Sequence, residues 1–173
     1  MMHTTDVAIA VSFLLLSSVV HIHASALPAV RYAVSDGIAF TIKAGNAHLD
    51  PGVAHPIQFT NAITNQGGYY ENATGKFLAP FSGLYLFSAS LFNVYAGKKL
   101  DTDIVINGRH TVNVYCSAWL GDSACSASVV IRLEEGDHAW VEDVSGQMVH
   151  RDSTFTGVLF KQILLTNGTH RPP

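Results

Sequence analysis

From Ile38 onward the chain reads as short runs of alternating apolar and polar residues bounded by Gly, Pro, Asn or Asp, and no stretch sustains a 3.6-residue apolar period. The pattern predicts strands. Candidates are Ile38 to Lys43, Pro56 to Thr60, Lys76 to Ala79, Leu84 to Tyr95, Asp103 to Ile106, Thr111 to Ala118, Ser126 to Leu133, His138 to Val144 and Thr154 to Gln162. Asn107-Gly108 is the dipeptide of a two-residue hairpin turn. Nine or ten strands at this spacing predict an all-β sandwich. The longest, GLYLFSASLFNVY, places Tyr85, Phe87, Ala89 and Leu91 on one face and Leu84, Leu86, Ser88, Ser90 and Phe92 on the other. Large apolar groups on both faces imply that both are covered, one by the core and the other, in this reading, by a second subunit under closed rotational symmetry.

The N-terminal pattern is different. Val7 to Val20 is a mostly apolar run, short of the ~20 residues a spanning helix needs, and Ala24 and Ala26 follow as small residues at cleavage spacing. Residues 1–26 therefore read as a secretory signal peptide. The stretch MMHTTD, with Asp6 and no Lys or Arg, keeps an uncleaved anchor as the other reading. Behind the leader the expected organisation is a linker over 27–35, one globular domain over 36–163 and a tail over 164–173. The mature form is expected to carry no membrane span and to be extracellular.

Composition narrows the function. Ten Lys plus Arg stand against thirteen Asp plus Glu in 173 residues, and only 13% of residues are charged. No cationic excess exists to displace phosphate counterions, so nucleic acid is not an expected partner. There is no G-x-S-x-G elbow, H-E-x-x-H, C-x-x-C, P-loop or Rossmann glycine pattern, which points away from an enzyme and from a cofactor. In an oxidising compartment Cys116 and Cys125 favour an intramolecular disulfide, across a hairpin if the chain turns at Leu120-Gly121, with intermolecular pairing or free thiols as alternatives. The same compartment activates two glycosylation sequons, at Asn72 and Asn167. Asn167, in the tail, is the stronger expectation. Asp101 and Asp103 offer two carboxylates read as lying on a loop, either a weak metal site or simply solvated acids.

The segment FTNAITNQGGYYENATGKFLAPFSGLYLF carries Phe59, Asn65, Tyr70, Phe77, Gly83, Tyr85 and Phe87 at fixed offsets, and it resembles the signature of the C1q globular-head family. Ile38-Ala39-Phe40, Gly136 to Val141 and Ser153 to Leu159 extend the resemblance over about Val34 to Lys161. It implies a ten-stranded jelly-roll sandwich, shared with the tumour necrosis factor superfamily, that assembles as a compact homotrimer. The signature residues are expected to be structural: Tyr85 and Phe87 as core area, Gly83 to begin a strand after a tight turn, Asn65 to bond local backbone. Members that bind calcium use acids in the connection matching Trp119 to Cys125, where this chain has only Asp122. The fourteen glycines have no period of three, so no collagen-like stalk is expected.

Binding residues are expected on the loops Ala44 to His55, Ala96 to Asp101, Trp119 to Ala124 and Gly146 to Asp152. Trp119 is read either as an exposed indole for stacking on a ligand or as packing against the Cys116–Cys125 pair. The resemblance implies a secreted, non-enzymatic pattern-recognition protein of innate immunity, binding carbohydrate or microbial surfaces multivalently. The alternative is a secreted signalling ligand for a cell-surface receptor, like the cerebellin or cytokine-like branches.

Overall fold

A computed structural model describes residues 37–45, 48–49, 52–147 and 149–163. The expected leader, the whole of the linker and the tail with its Asn167 sequon lie outside these residues. Within them the alternation seen in the sequence becomes thirteen strands: β1 (Ala39–Lys43), β2 (His48–Leu49), β3 (His55–Pro56), β4 (Asn61–Gln66), β5 (Tyr70–Glu71), β6 (Lys76–Leu78), β7 (Gly83–Asn93), β8 (Lys98–Ile106), β9 (Arg109–Ala118), β10 (Ser123–Leu133), β11 (His138–Asp143), β12 (Val149–His150) and β13 (Thr154–Gln162).

Two antiparallel sheets face each other. One has the order β10-β7-β13-β1-β4; the other has the order β5-β6-β11-β8-β9, with β3 beside β11, while β12 and β2 pair separately. Period-two alternation sends Phe40 and Ile42 of β1, Tyr85, Phe87, Ala89 and Leu91 of β7 and Phe155 of β13 into the space between the sheets. Phe77 of β6, Leu100 and Ile104 of β8, Val114 of β9 and Val141 of β11 are buried on the other sheet. Phe40 sits at the centre, its ring 5.1 Å from Tyr70, 5.2 Å from Phe77 and 5.1 Å from Phe155. The hairpin turn at Asn107-Gly108 forms, with positive φ at both residues (50° and 78°), as that turn type requires.

Two local expectations fail for identifiable reasons. Pro56 to Thr60 is not a strand beyond Pro56. Ile57 and Phe59 are buried, but the backbone there runs irregularly, Ile57 N donating to Val141 O and Phe59 N to Ile57 O. Two inward residues two apart imitate a strand without its ladder. Conversely, β4 went unread because its polar segment NAITNQ has one large apolar side chain, Ile63, and that one is 62% exposed. Its partner is the backbone of β1, with a register shift that leaves Ile63 without a counterpart.

Candidate functional site

The antiparallel registers fix where the loops fall. β7 ends at Asn93 and pairs with the start of β10. β8 begins opposite the end of β9. Thr154, at the start of β13, pairs with both Ser90 near the end of β7 and Lys43 at the end of β1. β11 ends opposite Thr102, towards the start of β8. The connections after β1, β7, β9 and β11 therefore emerge at one end of the sandwich. The described parts of the four segments singled out in the sequence fall at this end, but Ala96 to Asp101 is not a loop beyond Gly97, because Lys98 to Asp101 begin β8 and pair with β9; Gly83, the Asn107-Gly108 turn and the β10–β11 connection lie at the other end.

Buried polar side chains hold this loop end. Asn93 Nδ2 donates to Lys98 O at 3.0 Å and its Oδ1 accepts from Tyr95 N at 3.0 Å. Ser153 Oγ accepts from Phe92 N at 3.0 Å. Asp143, fully buried, accepts from Ser145 N at 2.9 Å and Ser145 Oγ at 2.8 Å through one oxygen. Burial pushes its carboxyl above the usual carboxylate range, with the Ser145 hydrogen bonds opposing the shift.

The β9–β10 connection is exposed at its tip. Cys116 and Cys125 form a disulfide, with Cα atoms 5.3 Å apart. The pairing is intramolecular, but it does not cross a hairpin ladder: β9 and β10 are edge strands of different sheets, so the bond ties one sheet to the other. Beyond it Trp119 is 76% exposed and Leu120 fully so, which sets the indole in solvent and not against the disulfide. Lys98 and Lys99, exposed at the start of β8, pair with Ala118 and Ser117 beside this tip. Leu120 and the two lysines fell inside the candidate loops Trp119 to Ala124 and Ala96 to Asp101 without being given a binding role of their own.

The proposed metal residues are placed differently from expectation. Asp101 and Asp103 are not on a loop; they lie on one face of β8. Asn113 Nδ2 donates to Asp101 Oδ1 at 2.6 Å and Asp103 Oδ1 at 3.1 Å, and His110 Nδ1 lies 2.8 Å from Asp103 Oδ2. An amide and an imidazole from β9 thus occupy the space a cation would take. Asp122 stands apart, on the β9–β10 loop. Among the described residues no three His, Cys, Asp or Glu side chains are arranged to hold a metal ion.

Phe59, Tyr70, Phe77, Tyr85 and Phe87 are buried, Tyr85 Oη donates to Phe81 O at 2.7 Å, and Asn65 exchanges two hydrogen bonds with the Tyr70 backbone. Gly83 is needed for space and not for turn geometry: a Cβ there would meet Leu159 Cδ1 and Lys161 O at 2.7 Å.

A second surface is the outer face of the five-stranded sheet. Towards the loop end it carries a hydroxyl ladder, with Ser128 Oγ donating to Ser88 Oγ at 2.9 Å and the hydroxyls of Thr41 and Thr156 3.1 Å apart. Towards the other end, cross-strand neighbours Val130, Leu86, Val158 and Ala39 form an apolar row.

Two facing sheets in these orders around an aromatic core define an all-β jelly-roll sandwich of the C1q and tumour necrosis factor kind. Residues 39–160 match the C1q domain, and the chain belongs to that family. It is 30% identical over 129 residues to complement C1q tumor necrosis factor-related protein 5 of Rattus norvegicus, covering 70% of this chain and 52% of that protein. It is 33% identical over 111 residues to related protein 7 of Mus musculus, covering 60% and 38%. The chain thus spans about half or less of the length of these relatives. Among solved structures the globular domain of zebrafish complement 1qA superposes with a TM-score of 0.63 at 17% identity, covering 73% of this chain and 99% of that one. Eiger TNF from S. frugiperda gives 0.59 at 13% identity, covering 80% and 99%. Proteins of the C1q domain family are non-enzymatic.

Proposed function

We propose that this chain is a secreted recognition protein of innate immunity that binds carbohydrate on microbial surfaces through its loop end, as a homotrimer. The observation that carries the reading is the convergence of four loops on one end, with Trp119 standing 76% exposed beyond an inter-sheet disulfide. An aromatic face in solvent is the group on which a sugar ring stacks, and a disulfide at its base restricts the tip that presents it. The outer face of the five-stranded sheet is the trimer interface in this reading, its Val130–Leu86–Val158 row being the part most in need of cover. Three weak sites displayed together gain on the order of 10²-fold or more in avidity.

The test is a glycan and microbial-surface array probed with the purified protein, with and without chelator. Binding that weakens at least about tenfold in Trp119→Ala supports the reading. Binding to one receptor ectodomain with no glycan requirement would replace it with the signalling alternative.

A further inference from the structure

The sandwich has two open edges. On one, β9 and β10 are tied by the disulfide; on the other, β4 and β5 end their respective sheets. At this second edge a cleft of about 620 Å³ opens beside the turn joining β5 to β6, lined by residues that include Tyr69, Asn72, Thr74, Lys76 and His138. Three observations converge on Asn72.

The sequon Asn72-Ala73-Thr74 forms that turn, with Asn72 and Thr74 both exposed. The turn is held in place. Gly75 N donates to Glu71 O at 2.9 Å, and Gln58 Nε2 donates to Ala73 O at 2.8 Å. Gly75 has φ +72°, and a Cβ there would meet Ile57 O at 2.6 Å. The Asn72 amide is also oriented, Nδ2 donating to Thr60 O at 3.1 Å. A primary amide nitrogen carries two hydrogens, and glycosylation replaces one. The remaining hydrogen can keep the bond to Thr60, so attachment of a sugar does not require the side chain to be released. Finally, Tyr69 stands three residues before Asn72 and lines the same cleft. Its half-buried ring lies over Gly67, where a Cβ would meet ring atoms at 2.5 and 2.7 Å. An aromatic face fixed beside the attachment point is a platform for the apolar C–H face of a sugar ring.

We infer that Asn72 carries an N-linked glycan whose first N-acetylglucosamine packs on Tyr69 in this cleft. The inference rests on the secretory part of the proposed function. The modification is a group transfer from a lipid pyrophosphate-linked oligosaccharide, catalysed by the transferase of the secretory pathway. Asn72 Nδ2 forms a C–N bond to the anomeric carbon, the C–O bond to pyrophosphate breaks, the lipid pyrophosphate leaves with the electron pair, and the amide gives up one proton. The glycan also covers the edge at β4 and β5. Unpaired strand edges invite pairing with other chains, so the sugar closes on this side what the disulfide closes on the other.

The full chain, expressed in a eukaryotic secretory host, tests this by peptide mass spectrometry and thermal unfolding. Asn72 is expected to be glycosylated, and the glycan to be lost in Thr74→Ala, which leaves Asn72 itself intact. Trimming with an endoglycosidase that spares the first N-acetylglucosamine is expected to leave the unfolding midpoint unchanged. The same chain made without glycosylation, with Asn72 and its bond to Thr60 intact, unfolds about 3 °C lower, the scale of one aromatic contact in a domain of this size, and that drop disappears in a Tyr69→Leu background. A secreted, leader-cleaved chain with bare Asn72 overturns the inference and leaves the secretory reading standing. A glycan whose removal costs the same with or without Tyr69 overturns the packing on Tyr69. A chain retained in the cell with its leader uncut overturns both.

Discussion

Two aspartates nine residues apart respond to their surroundings in opposite directions. Asp143 is buried and its carboxyl is pushed up, chiefly by desolvation. Asp152 is exposed, and the Lys43 ammonium hydrogen-bonded to it at 2.8 Å holds its carboxyl below the usual range. A raised carboxyl holds its proton more tightly folded than unfolded, so Asp143 takes stability away as pH rises from the unfolded value through the folded one. A lowered carboxyl does the reverse: the Asp152 contribution is present above the unfolded value and is lost as pH falls through the folded value. Denaturant titrations between about pH 7 and pH 3 should separate them. Asp143→Asn is expected to gain on wild type as pH rises, and Asp152→Asn to lose on it. Parallel pH profiles for the two variants would contradict both assignments. In the core, Phe40 packs with four other rings, and Phe40→Ala is expected to cost about 3–5 kcal/mol, a large part of a domain's whole stability of roughly 5–15 kcal/mol. Phe40→Leu keeps most of the volume and is expected to cost less; equal losses in chemical denaturation would show that ring volume is not what the site uses.

At the scale of elements, the long apolar strands were legible because alternation and burial coincide. Every inward position of β7 from Tyr85 to Leu91 is fully buried, and the outward ones are partly open. β4 was not legible, since an edge strand held by backbone pairing needs no apolar signal, and the Ile57–Phe59 pair carried one without being a strand. The cysteines show the same division. Their spacing suggested that they pair, but only topology shows that β9 and β10 belong to different sheets and that the bond joins them. Likewise Asp101-Thr102-Asp103 could be read as a pair of acids, whereas the Asn113 and His110 that occupy them come from a neighbouring strand ten or so residues away. Removing the bond by Cys116→Ala with Cys125→Ala is expected to lower stability by about 2–3 kcal/mol on the chain-entropy estimate for so short a loop. Urea denaturation measures this, and an unchanged midpoint would mean that the sheets hold their edge without the bond.

The whole molecule joins two surfaces with different demands. In the proposed function the loop end presents a few exposed groups that each bind weakly, and the outer sheet face is where subunits meet to repeat them. The apolar row on that face can be separated from the fold beneath it, because Leu86 points away from the sandwich core while its neighbours Tyr85 and Phe87 point in. An arginine at Leu86 therefore stays in solvent in the isolated subunit but would bury unpaired charge between subunits. Leu86→Arg is expected to fold with a near-native circular dichroism spectrum and to sediment as a monomer at micromolar concentration, where wild type is expected to sediment as a trimer. Binding to a glycan-coated surface should then fall by about 10²-fold, while binding to a single soluble saccharide stays the same. A variant that remains trimeric would place the subunit contact elsewhere, and one that loses both kinds of binding would tie the loop end to the neighbouring subunit.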